Sequence, residues 1–275
     1  MKLTQHALLL SLLLVGCSDP SSINAVIEQP INTQSKTSAL SQTNTLSQIN
    51  TLSQINTLSQ INNVDEQYTL PTYIGSNINQ QQKSLAHLTS LPELSDSQTR
   101  KKLLLALALF SNDENQSLSK LESITKQLSE FSNVQPNDVE MMAAYGNALS
   151  YQAIFYQDNL GKMNLLSRKG MRLMDRAIKQ APNNLGARLL RGISYANMPS
   201  FLNRANFAVT DLSIIKQQTK LEPTDDFLNF VNYYLAMAFA KNNQPEQAKV
   251  LWQSLKSNAS TIWQTKAIAR LKETE

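Results

Sequence analysis

The amino-acid sequence predicts an all-α fold, a stack of antiparallel helical hairpins that follows a long polar tether. Three observations carry that expectation. From about Ser84 to Glu275, apolar residues return at the i, i+3, i+4, i+7 spacing of helices with one buried face. Only 7 glycines occur in 275 residues, and Ala and Leu are frequent late in the chain, which suits helices better than strands. Before about residue 83 the character is different: Ser, Thr, Asn and Gln dominate, and charge is nearly absent.

The first segment reads as a targeting signal. Lys2 is followed by the apolar run Ala7 to Val15, too short for a hydrocarbon core of ~30 Å. The run ends in Leu14-Val15-Gly16-Cys17. These four residues resemble the bacterial lipobox, which implies cleavage before Cys17 and lipid attachment to it. A plain secretory signal is the competing reading. Cys17 is the sole cysteine and has no disulfide partner in an oxidising compartment, which argues against that alternative. In enterobacterial lipoproteins an Asp directly after the cysteine retains the protein in the inner membrane. Ser18 stands there, with Asp19 one place later, so the resemblance implies an outer-membrane anchor facing the periplasm.

The expected organisation is a signal peptide over 1–16, a tether over 17–83 and a helical domain over 84–275. Within the tether the hexapeptide Asn-Thr-Leu-Ser-Gln-Ile recurs at 44–49, 50–55 and 56–61. A parallel β-helix and a short partner-binding helix are alternatives. Three copies without Gly-rich turns are few for a solenoid, and a polar linker is preferred. As a flexible coil this stretch would reach roughly 45 Å.

The helical elements follow in order. Ser97 to Phe110 places Leu103, Leu104, Leu107 and Phe110 on one face, and Ser117 to Phe131 does so with Leu121, Ile124, Leu128 and Phe131. Pro136-Asn137-Asp138 breaks the chain and offers an N-cap. Three hairpins come next. The first uses Gly146 and Ala148, then Gly170, Leu173, Met174 and Ala177, and ends at Ala181-Pro182-Asn183-Asn184. A second uses Gly192 and Tyr195, then Ala208, Leu212 and Ile215, closing at Glu222-Pro223. The third uses Leu235 to Phe239, then Ala248, Trp252 and Leu255, with Pro245 opening its second helix.

These small and aromatic positions resemble the tetratricopeptide repeat, a helix–turn–helix of ~34 residues. The resemblance implies a right-handed solenoid whose first helices line a concave face. Gly146, Gly192 and Ala236 recur at intervals of 46 and 44, so the copies are long and degenerate. Lys169 to Asp175, Arg188 to Gly192 and Pro199 to Phe201 also resemble a little-characterised bacterial group of tetratricopeptide-like proteins, which implies fold and not activity.

Composition removes several chemistries. The 2 histidines are His6, in the expected signal peptide, and His87, so Cys–His pairs and Cys/His zinc sites are not expected. No nucleophile-elbow motif accompanies His87. The net charge of +4 is too mild to indicate a nucleic-acid partner. No cofactor, metal or catalytic residue is expected. Candidate partner-binding residues are Tyr145, Tyr151, Phe155, Tyr156 and Tyr195 on first helices, and Phe201 and Arg204 in an inter-helix loop. Arg168, Arg172 and Arg176, four apart, form a basic stripe that anionic lipid or an acidic peptide would meet. Asp175 lies within reach of Arg172 and Lys179, so an ordinary solvated face is the competing reading. The function these readings favour is a lipid-anchored adaptor that binds another cell-envelope protein. An accessory factor or enzyme acting on cell wall or glycan, and a small-ligand module, are the alternatives.

Overall fold

The computed structural model describes residues 78–273, apart from Glu114, 219–224 and Ser260. The signal peptide, Cys17, the hexapeptide repeats and the Glu222-Pro223 turn lie outside the described residues. Within them every regular element is helical: α1 (Ile78–Ser90), α2 (Asp96–Ser111), α3 (Leu118–Val134), α4 (Val139–Gln152), α5 (Leu160–Gln180), α6 (Leu185–Asn197), α7 (Ala205–Gln218), α8 (Asp225–Lys241), α9 (Pro245–Asn258) and α10 (Thr261–Glu273). Single 3-10 turns follow α4 at Ala153–Phe155 and precede α7 at Ser200–Leu202.

Helix starts are set by side chains that accept from otherwise orphaned backbone amides. Asp138 accepts from Met141 N at 3.1 Å, Asn159 from Lys162 N at 3.0 Å and Asn184 from Ala187 N at 2.8 Å. Ser95 and Gln98 form a reciprocal capping box at the start of α2. Pro245 opens α9 as expected, after Asn243 has turned the chain with a φ of 56°.

Each helix packs on the next in sequence. In addition α2, α4, α6, α8 and α10 pack on one another in turn, so they form one layer, with α3, α5, α7 and α9 in the other. The three hairpins read from sequence are α4–α5, α6–α7 and α8–α9, and their small residues lie at the crossings. A Cβ on Gly146 would stand 2.7 Å from Gly170 O and 2.9 Å from Met174 Cγ. One on Gly192 would stand 2.9 Å from Leu212 Cγ. Ala236, Ala238 and Ala248 have no exposed surface, and Trp252 and Trp263 are buried.

Residues 78–83, which the sequence reading gave to the tether, are helical and belong to α1. Helix α1 packs on α2 and buries only Gln81 and Leu88, with Leu85 partly covered. So few apolar positions among Asn and Gln leave no periodic signal to read.

The α4–α5 crossing sets a test. A Cβ on Gly170 would overlap the Gly146 carbonyl oxygen and Ser150 Oγ and reach Ser150 N at 2.9 Å. Gly170→Ala is expected to cost about 2 kcal/mol in urea unfolding, because helix backbone has to move. Gly161→Ala, on the same helix with its nearest neighbour at 3.6 Å, should instead be neutral or gain about 0.5 kcal/mol.

Candidate functional site

Two features occupy the α5–α6–α7 region: an inward cluster of charges and a loop that projects outward. The cluster begins with charges inside an apolar run, Leu185 to Tyr195. Arg188 and Arg191 are 3% and 7% exposed, so each needs a buried partner. Asp211 of α7, fully buried, is that partner. It accepts from Arg188 Nη1 at 2.6 Å, from Arg191 Nε at 2.7 Å and from Arg191 Nη2 at 3.0 Å. Burial pushes the Asp211 carboxyl up, and the two guanidinium groups pull against it. Arg188 also donates to Pro182 O at 2.6 Å, which ties the turn between α5 and α6 to the same centre.

Asp175 of α5 extends the network. It accepts from Tyr195 OH at 2.8 Å and from Arg191 Nη1 at 3.1 Å, and it pairs with Arg204 Nη1 at 3.3 Å. Two guanidinium groups flank the Phe207 ring, with Arg191 at 5.4 Å and Arg204 at 5.7 Å. The Tyr195 ring meets Phe207 edge-on at 6.2 Å.

The loop 198–204 is fixed from several sides. Lys241 of α8 donates to Ala196 O at 2.8 Å and Met198 O at 2.9 Å, closing the C-terminal carbonyls of α6. Met198 is buried, and Asn203 N donates to Ser200 O at 2.9 Å. Asn203 takes a left-handed φ of 51°, a conformation that Asn tolerates better than most residues. Phe201 is left 76% exposed on this clamped turn.

The expected binding residues separate accordingly. Tyr195 is a core residue, not a contact residue: its ring has no exposed surface and its hydroxyl donates to Asp175. Tyr145 and Tyr151 are half-buried on α4, and Tyr151 packs edge-on against Phe110 at 5.6 Å. Burial raises the Tyr145 phenol, yet the Lys169 ammonium that donates to it at 2.9 Å holds it below its ordinary value. Phe155 and Tyr156 lie beyond the end of α4, in the turn before α5. Arg204 is spent on Asp175. Arg168, Arg172 and Arg176 are exposed together on α5. Asp175 does not pair with Arg172 or Lys179 as the competing reading had it, because three donors from α6 and the loop turn it inward. Phe207, Asp211 and Lys241 were not singled out from sequence. A charge inside an apolar stripe, as at Arg188 and Arg191, is the signal that marks Asp211.

Elsewhere Arg100 of α2 pairs with Asp138 at 2.9 Å and with Glu140, holding α2 to the start of α4. Asp226 accepts from Trp263 Nε1 at 3.0 Å. Clefts of about 500 and 350 Å³ lie among α1, α2 and α3, and neither is enclosed. Among the described residues no group of three or more His, Cys, Asp or Glu is placed to hold a metal, and no helix is long and apolar enough to cross a membrane. The chain matches no protein-family model, no curated protein and no solved structure.

Two outcomes test this geometry. Asp211→Asn should cost about 3–5 kcal/mol in denaturant unfolding, because it leaves the buried Arg188 without an anionic partner and Arg191 with Asp175 alone. Burial, with Arg270 as a nearby cation, lowers Lys241 from 10.5 to about 8. The unfolded chain therefore binds the extra proton between those values, and stability should rise with pH across that window. Lys241→Met should flatten the rise; an unchanged pH profile would show that Lys241 is not its source.

Proposed function

We propose that this chain is a lipid-anchored adaptor of the bacterial cell envelope, which grips another envelope protein through its tetratricopeptide-like helical surface. Lipid on Cys17 fixes it to a membrane, the outer membrane by the Ser18 criterion, and the tether sets its reach. No covalent chemistry and no cofactor are part of this reading.

The observation that carries it is Phe201. Phe201 is 76% exposed on a loop tied to α8 by Lys241 and to α5 by Arg204, so a partner that covers it loses little loop entropy. Phe207, 38% exposed at the start of α7, adds apolar surface nearby. Asp175 and Asp211 are each engaged by guanidinium groups, which supports a binding role over an acid–base one. The open clefts beside α1 favour a macromolecular partner over an enclosed small ligand.

The test is a photo-crosslinking amino acid at position 201 in cells that make the full chain. It should capture one protein of reproducible size, and Phe201→Ala should weaken recovery of the same protein by at least 10-fold, as for a central aromatic anchor worth roughly 2 kcal/mol. The control is Val134, 74% exposed at the end of α3. Identical adducts from both positions, or none from position 201, would sink the adaptor reading.

A further inference from the structure

Helix α5 is the longest described, with 21 residues, and cations dominate its outward face. At 100° per residue, Lys162, Arg168, Lys169, Arg172, Arg176 and Lys179 fall within an arc of about 120°. All six are exposed. The opposite arc, with Gly170, Met174, Ala177 and Ile178, is buried.

Two observations separate this stripe from an ordinary solvated face. Asp175 is the only acid on α5, and it is committed to Arg191, Arg204 and Tyr195. Among the described residues none of the six cations is in a salt bridge. Lys162 lies 3.9 Å from the centre of the Tyr156 ring and Lys169 donates to Tyr145, contacts that hold the ammonium groups without cancelling their charge. The second observation is apolar. Leu165, in the middle of the cationic arc, is 63% exposed.

We infer that the outer face of α5 is a docking surface for an anionic lipid bilayer, on which the helix lies in the plane of the headgroups. The occupant follows from charge complementarity together with the bare Leu165. The cations span about 25 Å along the helix axis, a line of charge suited to a flat surface that presents many phosphates. Lys and Arg carry apolar stems that settle at the headgroup boundary, where Leu165 finds acyl chain. An acidic peptide would satisfy the charges and leave Leu165 in water. This inference goes beyond the adaptor reading and does not depend on what Phe201 binds.

The test uses the full chain with Cys17→Ser and Leu165→Cys, which leaves one thiol for an environment-sensitive fluorophore. Vesicles of phosphatidylcholine alone are compared with vesicles containing 30 mol% phosphatidylglycerol, in ~100 mM salt where surface charge still acts over about 10 Å. The label should shift to the blue on the anionic vesicles only. Arg168→Gln, Arg172→Gln and Arg176→Gln together should weaken that binding on the order of 100-fold, at about a factor of 5 per cation removed, while leaving helix content unchanged. Equal shifts on the two vesicle types would overturn the proposal, as would undiminished binding by the triple variant. Saturable binding to poly-glutamate, with no blue shift on the anionic vesicles, would assign the stripe to an acidic polypeptide instead.

Discussion

Between α5, α6 and α7, three guanidinium groups converge on two carboxylates, and much of the molecule's surface chemistry follows from that arrangement. Asp211 has no access to water and is surrounded by Arg188 and Arg191, so the α6–α7 hairpin can close in only one register. A pair so deeply buried adds little net stability over an apolar replacement, but losing one member is costly, so the register is held tightly. Arg191 has donors left over, and it uses them on Asp175, which brings in α5. By drawing the only acid of α5 to the inside, the cluster leaves the outside of that helix with cations and no acid. The interior charge balance thus fixes the sign of an exterior face.

The same logic links the loop to the rest of the stack. Lys241 belongs to α8, one hairpin later than the loop it restrains, and its two acceptors are the last carbonyls of α6 and the first of the loop. A neutral amine has two N–H donors, which matches two carbonyl acceptors, so loss of the proton leaves the clamp's hydrogen bonds intact. The exposure of Phe201 is therefore a property of the stacked hairpins, not of a loose turn. A single α6–α7 hairpin in isolation would lack the clamp.

Much of this architecture was legible in the sequence. The Gly146, Gly170 and Gly192 crossings, Trp252 in the core and Pro245 at the start of α9 follow from small-residue spacing and turn chemistry, which act locally or along one helix face. What was not legible depends on where long side chains end. Asp175 is within reach of Arg172 and Lys179 along the helix, but Arg191, Tyr195 and Arg204 from neighbouring elements compete for it and win. Periodicity reports the face a residue occupies and says nothing of which partner its carboxylate selects. Tyr195 illustrates the same limit, since an aromatic on a first helix serves equally well as groove or as core until α7 is laid over it. Helix α1 escaped detection for the opposite reason, having too little apolar surface to produce a pattern.

The two proposed surfaces are also mechanically connected. Arg204, the last residue of the loop, pairs with Asp175 at 3.3 Å, so a single ion pair joins the base of the Phe201 turn to α5. With α5 laid on a bilayer and the loop holding a protein, a shift of α5 along its axis would pull on Asp175, and so on Arg204 of the loop as well as on Arg191 and Tyr195 of α6. The pair is only partly buried, with side chains 28% and 37% exposed, so it can break at modest cost while the Asp211 centre stays closed. Coupling of this kind needs two discrete arrangements of the pair, closed and open, each favoured by one of the bound surfaces. The partly exposed Arg204–Asp175 pair is the link that can open while Arg188 and Arg191 stay closed on the buried Asp211, so coupling between the two surfaces would have to pass through it.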